Sequence, residues 1–148
     1  MISLVAVDCL YVEATIKVMK DCMNKFAFRD AYLFTHERQN IKGVTCITIP
    51  QIKSMEEYSE FMILDLPNYR VMFEDHILTV QHDGYIVNPR AWTGEFLKYD
   101  YIGAPWCHGA GVGNGGFSLR GSAAIARIDK DKPRQSTPGR LANLCQLP

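Results

Sequence analysis

The chain has 148 residues, 47% of them hydrophobic, enough for one ordinary core but too few for two full-sized domains. Sixteen basic residues balance sixteen acidic ones, so no net field gathers nucleic acid or coats an anionic membrane, and any partner must be recognised locally. The cysteines Cys9, Cys22, Cys46, Cys107 and Cys145 are odd in number and form no C-x-x-C pair, which argues against a disulfide framework or a zinc knuckle and predicts a reducing, cytoplasmic compartment.

The start, MISLVAVDCL, has no basic residue ahead of its apolar run and carries Asp8, unlike a signal peptide. No apolar stretch approaches the roughly 20 residues of a membrane-spanning helix, which predicts a soluble protein. Ile2 to Val7 is short and almost wholly apolar, the pattern of a strand covered on both faces. Val12, Ile16, Met19 and Met23 then recur at helical spacing and predict a helix able to cover the sheet. AYLFT (Ala31 to Thr35) and VTCITI (Val44 to Ile49) read as strands on either side of a polar, glycine-containing connection.

Ser54-Met55-Glu56-Glu57 is a capping-box pattern, with Ser54 accepting an early helical N–H and Glu57 reaching back to the Ser54 amide. The helix it opens carries Tyr58, Phe61, Met62 and Leu66 on an apolar face and is expected to stop at Pro67-Asn68. Ile77 to Val80 reads as another buried strand, running into Gln81-His82-Asp83-Gly84 and a second apolar triplet, Tyr85 to Val87. Asn88-Pro89 predicts the start of a short helix with Trp92, Phe96 and Leu97, and YDYIGAPW returns to extended chain. Alternating strands and helices predict an α/β domain with a largely parallel sheet.

From Gly109 to Gly116 the sequence GAGVGNGG holds five glycines. Its G-x-G-x-x-G (Gly111, Gly113, Gly116) comes too late in the chain for a dinucleotide fingerprint, and too few residues follow for a kinase. The remaining readings are a loop from Gly109 to Gly113 leading to Gly115-Gly116, where bare backbone permits close approach to a ligand, or an ordinary surface loop. After Arg120 the chain turns charged and weakly periodic, so residues 1–120 read as the core and 121–148 as a divergent, weakly ordered tail.

Asp83 stands where an apolar strand ends, the place at which open parallel sheets put their ligand crevices, and a carboxylate there suits a divalent cation. Asp-Gly between two apolar runs is equally a hairpin signal. His36, His76, His82 and His108 are isolated, and His82-Asp83 lacks the further ligands of an HD phosphohydrolase. Of the two tryptophans, Trp106 beside the glycines is the better candidate for stacking on a sugar or base, and Trp92 for packing.

The blocks QHDGYIVNPRAW, EFLKYDYIGAPW and VGNGGFSLR, spanning Gln81 to Arg120, resemble in that order a family of glycosyltransferase-like domains, and weaker likeness extends back to Val5. The resemblance implies a Rossmann-like GT-A-type sandwich that binds a nucleotide-diphospho-sugar and transfers its glycosyl group to a hydroxyl acceptor such as a glycan. It makes Asp83 the metal or donor ligand, with Mn²⁺ or Mg²⁺ as the cofactor. The first acid of a D-x-D motif is replaced here by Gln81, which can hydrogen-bond ribose or sugar instead. Asn114, Gly115, Gly116 and Phe117 fall in the block resembling the donor and acceptor pocket wall, with Trp106 at the acceptor entrance. An inverting transfer needs a base, for which Asp100 is a weak candidate. The tail after Arg120 does not resemble the family's continuation, which fits either a truncated or frame-altered relative or a minimal variant completed by another subunit. A binding module without turnover is the competing function, and a purely structural role predicts no ligand.

Overall fold

A computed structural model describes residues 1–105, 112–125 and 141–143. A mixed, mostly parallel sheet forms the middle layer in the order β3-β2-β1-β4-β6-β5-β7. The strands are β1 (Ser3–Val7), β2 (Ala31–Thr35), β3 (Thr45–Thr48), β4 (His76–Val80), β5 (Tyr101–Pro105), β6 (Val112–Gly121) and β7 (Leu141–Asn143). The first four are mutually parallel, β6 runs antiparallel to both β4 and β5, and β7 lies parallel to β5 at the sheet edge. The rest of the expected tail falls outside the described residues.

β1 is buried at every position, as its unbroken apolar run predicts for a strand with both faces covered. On one face lies α1 (Val12–Lys25), whose Met19 and Cys22 pack with Leu4, Ala6, Leu33, Leu78 and Val80. Val12, Ile16 and Met23 flank this core partly buried, so the expected stripe is present but centred one position round the helix.

On the other face, α2 (Met55–Glu60) leads into a π turn (Phe61–Asp65) and a 3₁₀ turn (Leu66–Met72). Phe61, Met62, Leu66 and Phe73 there pack on Val5, Val7, Phe34 and Ile77. Ser54 caps α2 as predicted, accepting from the Glu57 amide at 3.2 Å. The return contact differs: the Glu57 carboxylate accepts from the Lys53 amide, not from that of Ser54. Nor does Pro67 stop the chain. It sits in the first turn of the 3₁₀ segment, where its missing N–H would lack a partner in any case.

Two further expectations are corrected. The segment with Trp92 and Phe96 forms two short 3₁₀ turns, Pro89–Ala91 and Gly94–Lys98, rather than one helix, because Asn88 and Thr93 each cap a separate turn. Gly113, the end of the expected loop, lies inside β6 together with Gly115 and Gly116, while residues 109–111 fall outside the described structure. Opposite them the register with β5 jumps from Gly103↔Ser118 to Ala104↔Asn114. Gly115, Gly116 and Phe117 therefore bulge out of the ladder, a feature that bends a strand and re-aims its side chains.

Candidate functional site at the carboxyl ends of β1 and β4

β1 connects onward to β2 on one side, and the chain returns as β4 on the other. The order of strands therefore reverses between β1 and β4, and ligand crevices of open α/β sheets form outside the carboxyl ends of strands at such a switch. A crevice of about 230 Å³ lies there, lined by Asp8, Cys9 and Tyr11 after β1, Gln81 and His82 after β4, and Lys53, Ser54 and Tyr58 at the start of α2.

Asp8 organises the β1 side. Its Oδ1 accepts from the Leu10 and Tyr11 amides at 2.8 and 2.7 Å, and its Oδ2 accepts from the Thr15 hydroxyl at 2.6 Å. These bonds fasten the loop to the first turn of α1 and satisfy a buried carboxylate. His82 stands across the crevice, its Nδ1 4.0 Å from Asp8 Oδ2, a charge separation rather than a hydrogen bond. The His82 ring lies against Tyr11, with centroids 4.4 Å apart. Tyr11 itself is exposed and offers its outer surface to a planar or apolar ligand group.

The Tyr58 hydroxyl is buried yet makes no hydrogen bond. Burial pushes its phenol above the ordinary value, while the Arg120 guanidinium pulls it down more strongly than the nearby Gln81 amide does. Gln81 is thus close enough to act on the hydroxyl without reaching hydrogen-bond geometry. A buried, unpartnered donor on a crevice wall costs free energy until a ligand or water meets it.

The residues singled out from sequence separate on folding. Gln81 lines the crevice. Asp83 lies at the exposed tip of a tight turn, where the Gly84 amide donates to the Gln81 carbonyl at 3.1 Å and the two residues form an antiparallel bridge. The turn reading of Asp-Gly holds, and the turn lies at the strand's carboxyl end. Gly84 packs on the glycine bulge so closely that a Cβ would come within 3.0 Å of the Gly116 carbonyl oxygen and of Phe117 Cβ. The Gln81–Gly84 turn and the glycine block of β6 therefore meet in space.

Phe117 does not join the crevice. It lines a separate, apolar cavity of about 270 Å³ on the α1 face, with Trp92, Phe96 and Leu78. There Trp92 packs edge-on against Phe26 and Phe96, the packing role expected of it. Asn114 pairs with Ala104 through its backbone, and Trp106 lies outside the described residues. Asp100 precedes β5, and its carbonyl accepts from the Gly121 amide at 2.8 Å. Gly121 in turn pairs with His76 at the amino end of β4. A five-residue strand rises about 13 Å from end to end, so Asp100 is at least that far from Asp83 and cannot serve the same reacting atoms.

Among the described residues no group of three His, Cys, Asp or Glu side chains converges. Both Asp8 oxygens already accept hydrogen bonds, and Asp83 stands alone. The described residues therefore do not assemble a metal centre.

Sequence reasoning missed Asp8, Tyr11, Tyr58 and Arg120. Asp8 was findable, because the strand-end rule that picks out Asp83 applies equally to the acid after β1. Tyr58 was hidden by its place on an apolar helical stripe.

The comparisons with known proteins bear on fold and family. The family described as "Protein of unknown function (DUF5672)" matches residues 43–143, and the chain belongs to it. That match begins after β2 and runs past Arg120 to the end of β7. No curated protein matches the chain. Among solved structures, Rv0371c from Mycobacterium tuberculosis H37Rv superposes with a TM-score of 0.57 at 11% identity, over 96% of this chain and 86% of that one, a likeness of fold. No helix among the described residues is long and apolar enough to cross a membrane.

Proposed function

We propose that this member of the DUF5672 family is a GT-A-type, glycosyltransferase-like protein that binds a nucleotide-diphospho-sugar in the crevice between β1 and β4. The observation that carries the reading is the crevice itself. It opens at the strand-order switch point and combines an exposed aromatic surface at Tyr11 with polar groups at Gln81, His82 and Tyr58. Such a site suits a ligand with one planar base and several hydroxyl and phosphate oxygens. The packing of the Gln81–Gly84 turn on the Gly116 bulge supports it, since the two blocks build one corner of the sheet. In this reading Asp83, at the tip of the Gln81–Gly84 turn, would be the ligand for a Mn²⁺ or Mg²⁺ ion carried in by the diphosphate.

One specific observation favours the second reading, binding without turnover. An inverting transfer to an acceptor hydroxyl needs a base within hydrogen-bond reach of it, and Asp100 stands at the opposite end of the sheet. The test is a thermal-shift panel of nucleotide sugars, with and without Mn²⁺, on the native chain and on Asp83→Ala, followed by a turnover assay with any donor that binds. A ligand at a hundred times its Kd adds about 2.7 kcal/mol to a fold that binds it. Stabilisation with release of free sugar or nucleotide diphosphate supports the transferase reading, and stabilisation without release supports the binding module. A cooperatively melting chain that responds to no nucleotide sugar sinks both.

A further inference from the structure

Arg120 stands opposite Ile77 on β4 and Tyr101 on β5, and residues directly opposite share a face of the sheet. It therefore projects on the α2 face, the same side as Tyr58. Its side chain runs along β6 toward the carboxyl ends of the parallel strands. Nε donates to the Ser118 hydroxyl at 3.1 Å, and that hydroxyl donates onward to the Gly115 carbonyl at 3.3 Å. The guanidinium carbon lies 5.5 Å from the Tyr101 ring centroid, within range of a cation–π contact. At the far end, a Cβ on residue 115 would come within 2.7 Å of Arg120 Nη2. The bare glycine leaves that space to the guanidinium.

The fork is thus held at its stem and along its plane, yet among the described residues it has no acidic partner. Half-buried Arg70 pairs with Asp75 at 3.2 Å. Arg120 is also half-buried, but no carboxylate oxygen among the described residues lies within the 4.0 Å of an ion pair. A guanidinium stays charged under all ordinary conditions, and its planar donors match the oxygens of phosphate. The buried Tyr58 hydroxyl, likewise unpartnered, is the second donor at this corner.

We propose that Arg120 and the Tyr58 hydroxyl form a diphosphate-binding corner, shaped by Gly115 and Ser118, that receives the diphosphate of a nucleotide seated in the neighbouring crevice. The seating in the crevice rests on the nucleotide-sugar reading; the anion corner stands on its own geometry.

The experiment is titration calorimetry of the full chain and of Arg120→Gln with three probes: inorganic pyrophosphate, nucleoside diphosphates and the matching nucleosides. The expected result is that Arg120→Gln weakens pyrophosphate and nucleoside diphosphates by roughly 10- to 100-fold, the usual worth of a charge-assisted contact, and leaves nucleosides unchanged. Gly115→Ala keeps the charge but pushes on Nη2, so it should weaken the phosphate probes by a smaller factor. It also provides the test should Arg120→Gln fail to melt cooperatively. Equal affinity of the native chain and both variants for the phosphate probes would overturn the assignment. Binding of pyrophosphate but no nucleoside or nucleotide would keep the corner and discard the nucleotide reading. Binding of nucleosides with no response to pyrophosphate, and no effect of either variant on nucleoside diphosphates, would keep the crevice and discard Arg120.

Discussion

The two halves of the sheet use their strands differently. In β3-β2-β1-β4 the strands are parallel, β1 and β2 are buried at every position, and helical segments cover both faces. In β4-β6-β5 the pairing turns antiparallel, glycines interrupt the ladder, and a long arginine lies along the strand. Hydrophobic burial fixes the first half, and close backbone approach and polar contacts shape the second. Buried apolar packing resists change along the strands, so ligand groups find room beyond the strand ends of the parallel half and where the ladder of the other half is already broken.

Substitutions that test this contrast should differ in size and in kind. Phe34 is fully buried, with its ring 5.5 Å from that of Phe61 and 4.9 Å from that of Tyr69. Phe34→Ala should cost about 3–5 kcal/mol of stability by denaturant unfolding. A loss under about 1 kcal/mol would show that the parallel half is not the packed core described. Asp8→Ala comes next, since it strips two amides and the Thr15 hydroxyl of their acceptor. About 2–3 kcal/mol is expected, together with local loosening that amide exchange would find at Leu10 and Tyr11. Gly84→Ala brings a methyl against the Gly116 carbonyl oxygen and Phe117 Cβ, and should cost about 1–3 kcal/mol as an overpacked contact. Near-neutral behaviour at position 84 would mean that the turn and the bulge do not bear on each other.

The same contrast explains what the sequence disclosed. Strands β1, β2 and β4 of the parallel half were legible because continuous burial writes itself as continuous hydrophobicity, and Ser54 was legible because a cap is a local rule. What escaped depends on contacts between distant segments. Nothing in GNGGFSLR announces that Gly115 clears space for an arginine five residues on, or that Gly84 will meet Gly116. Pro67 was misread because a helix can pass into a 3₁₀ turn with proline in its first turn, an outcome that local breaker rules do not weigh. The candidate site was half legible: Gln81 lines the crevice, Asp83 marks the right strand end, and Phe117 falls on the opposite face.

The smallest predicted effect probes the boundary between the halves. Tyr58 belongs by sequence to the apolar stripe of α2, and by position to the polar corner near Arg120. Burial raises its phenol above the ordinary value of 10, with Arg120 opposing. The folded state therefore holds this proton more tightly than the unfolded chain does. The stability linked to it is intact below pH 10 and declines as pH rises through the unfolded phenol's value toward the raised one. Tyr32, whose phenol burial also raises, adds to the same decline. Tyr58→Phe should raise urea midpoints at pH 8 slightly, because the hydroxyl it removes is buried without a partner, and should flatten part of the loss between about pH 9 and 11. An unchanged alkaline slope would mean that Tyr58 ionises as freely in the folded chain as in the unfolded one, and its hydroxyl would then have to be open to water rather than held in reserve beside Arg120.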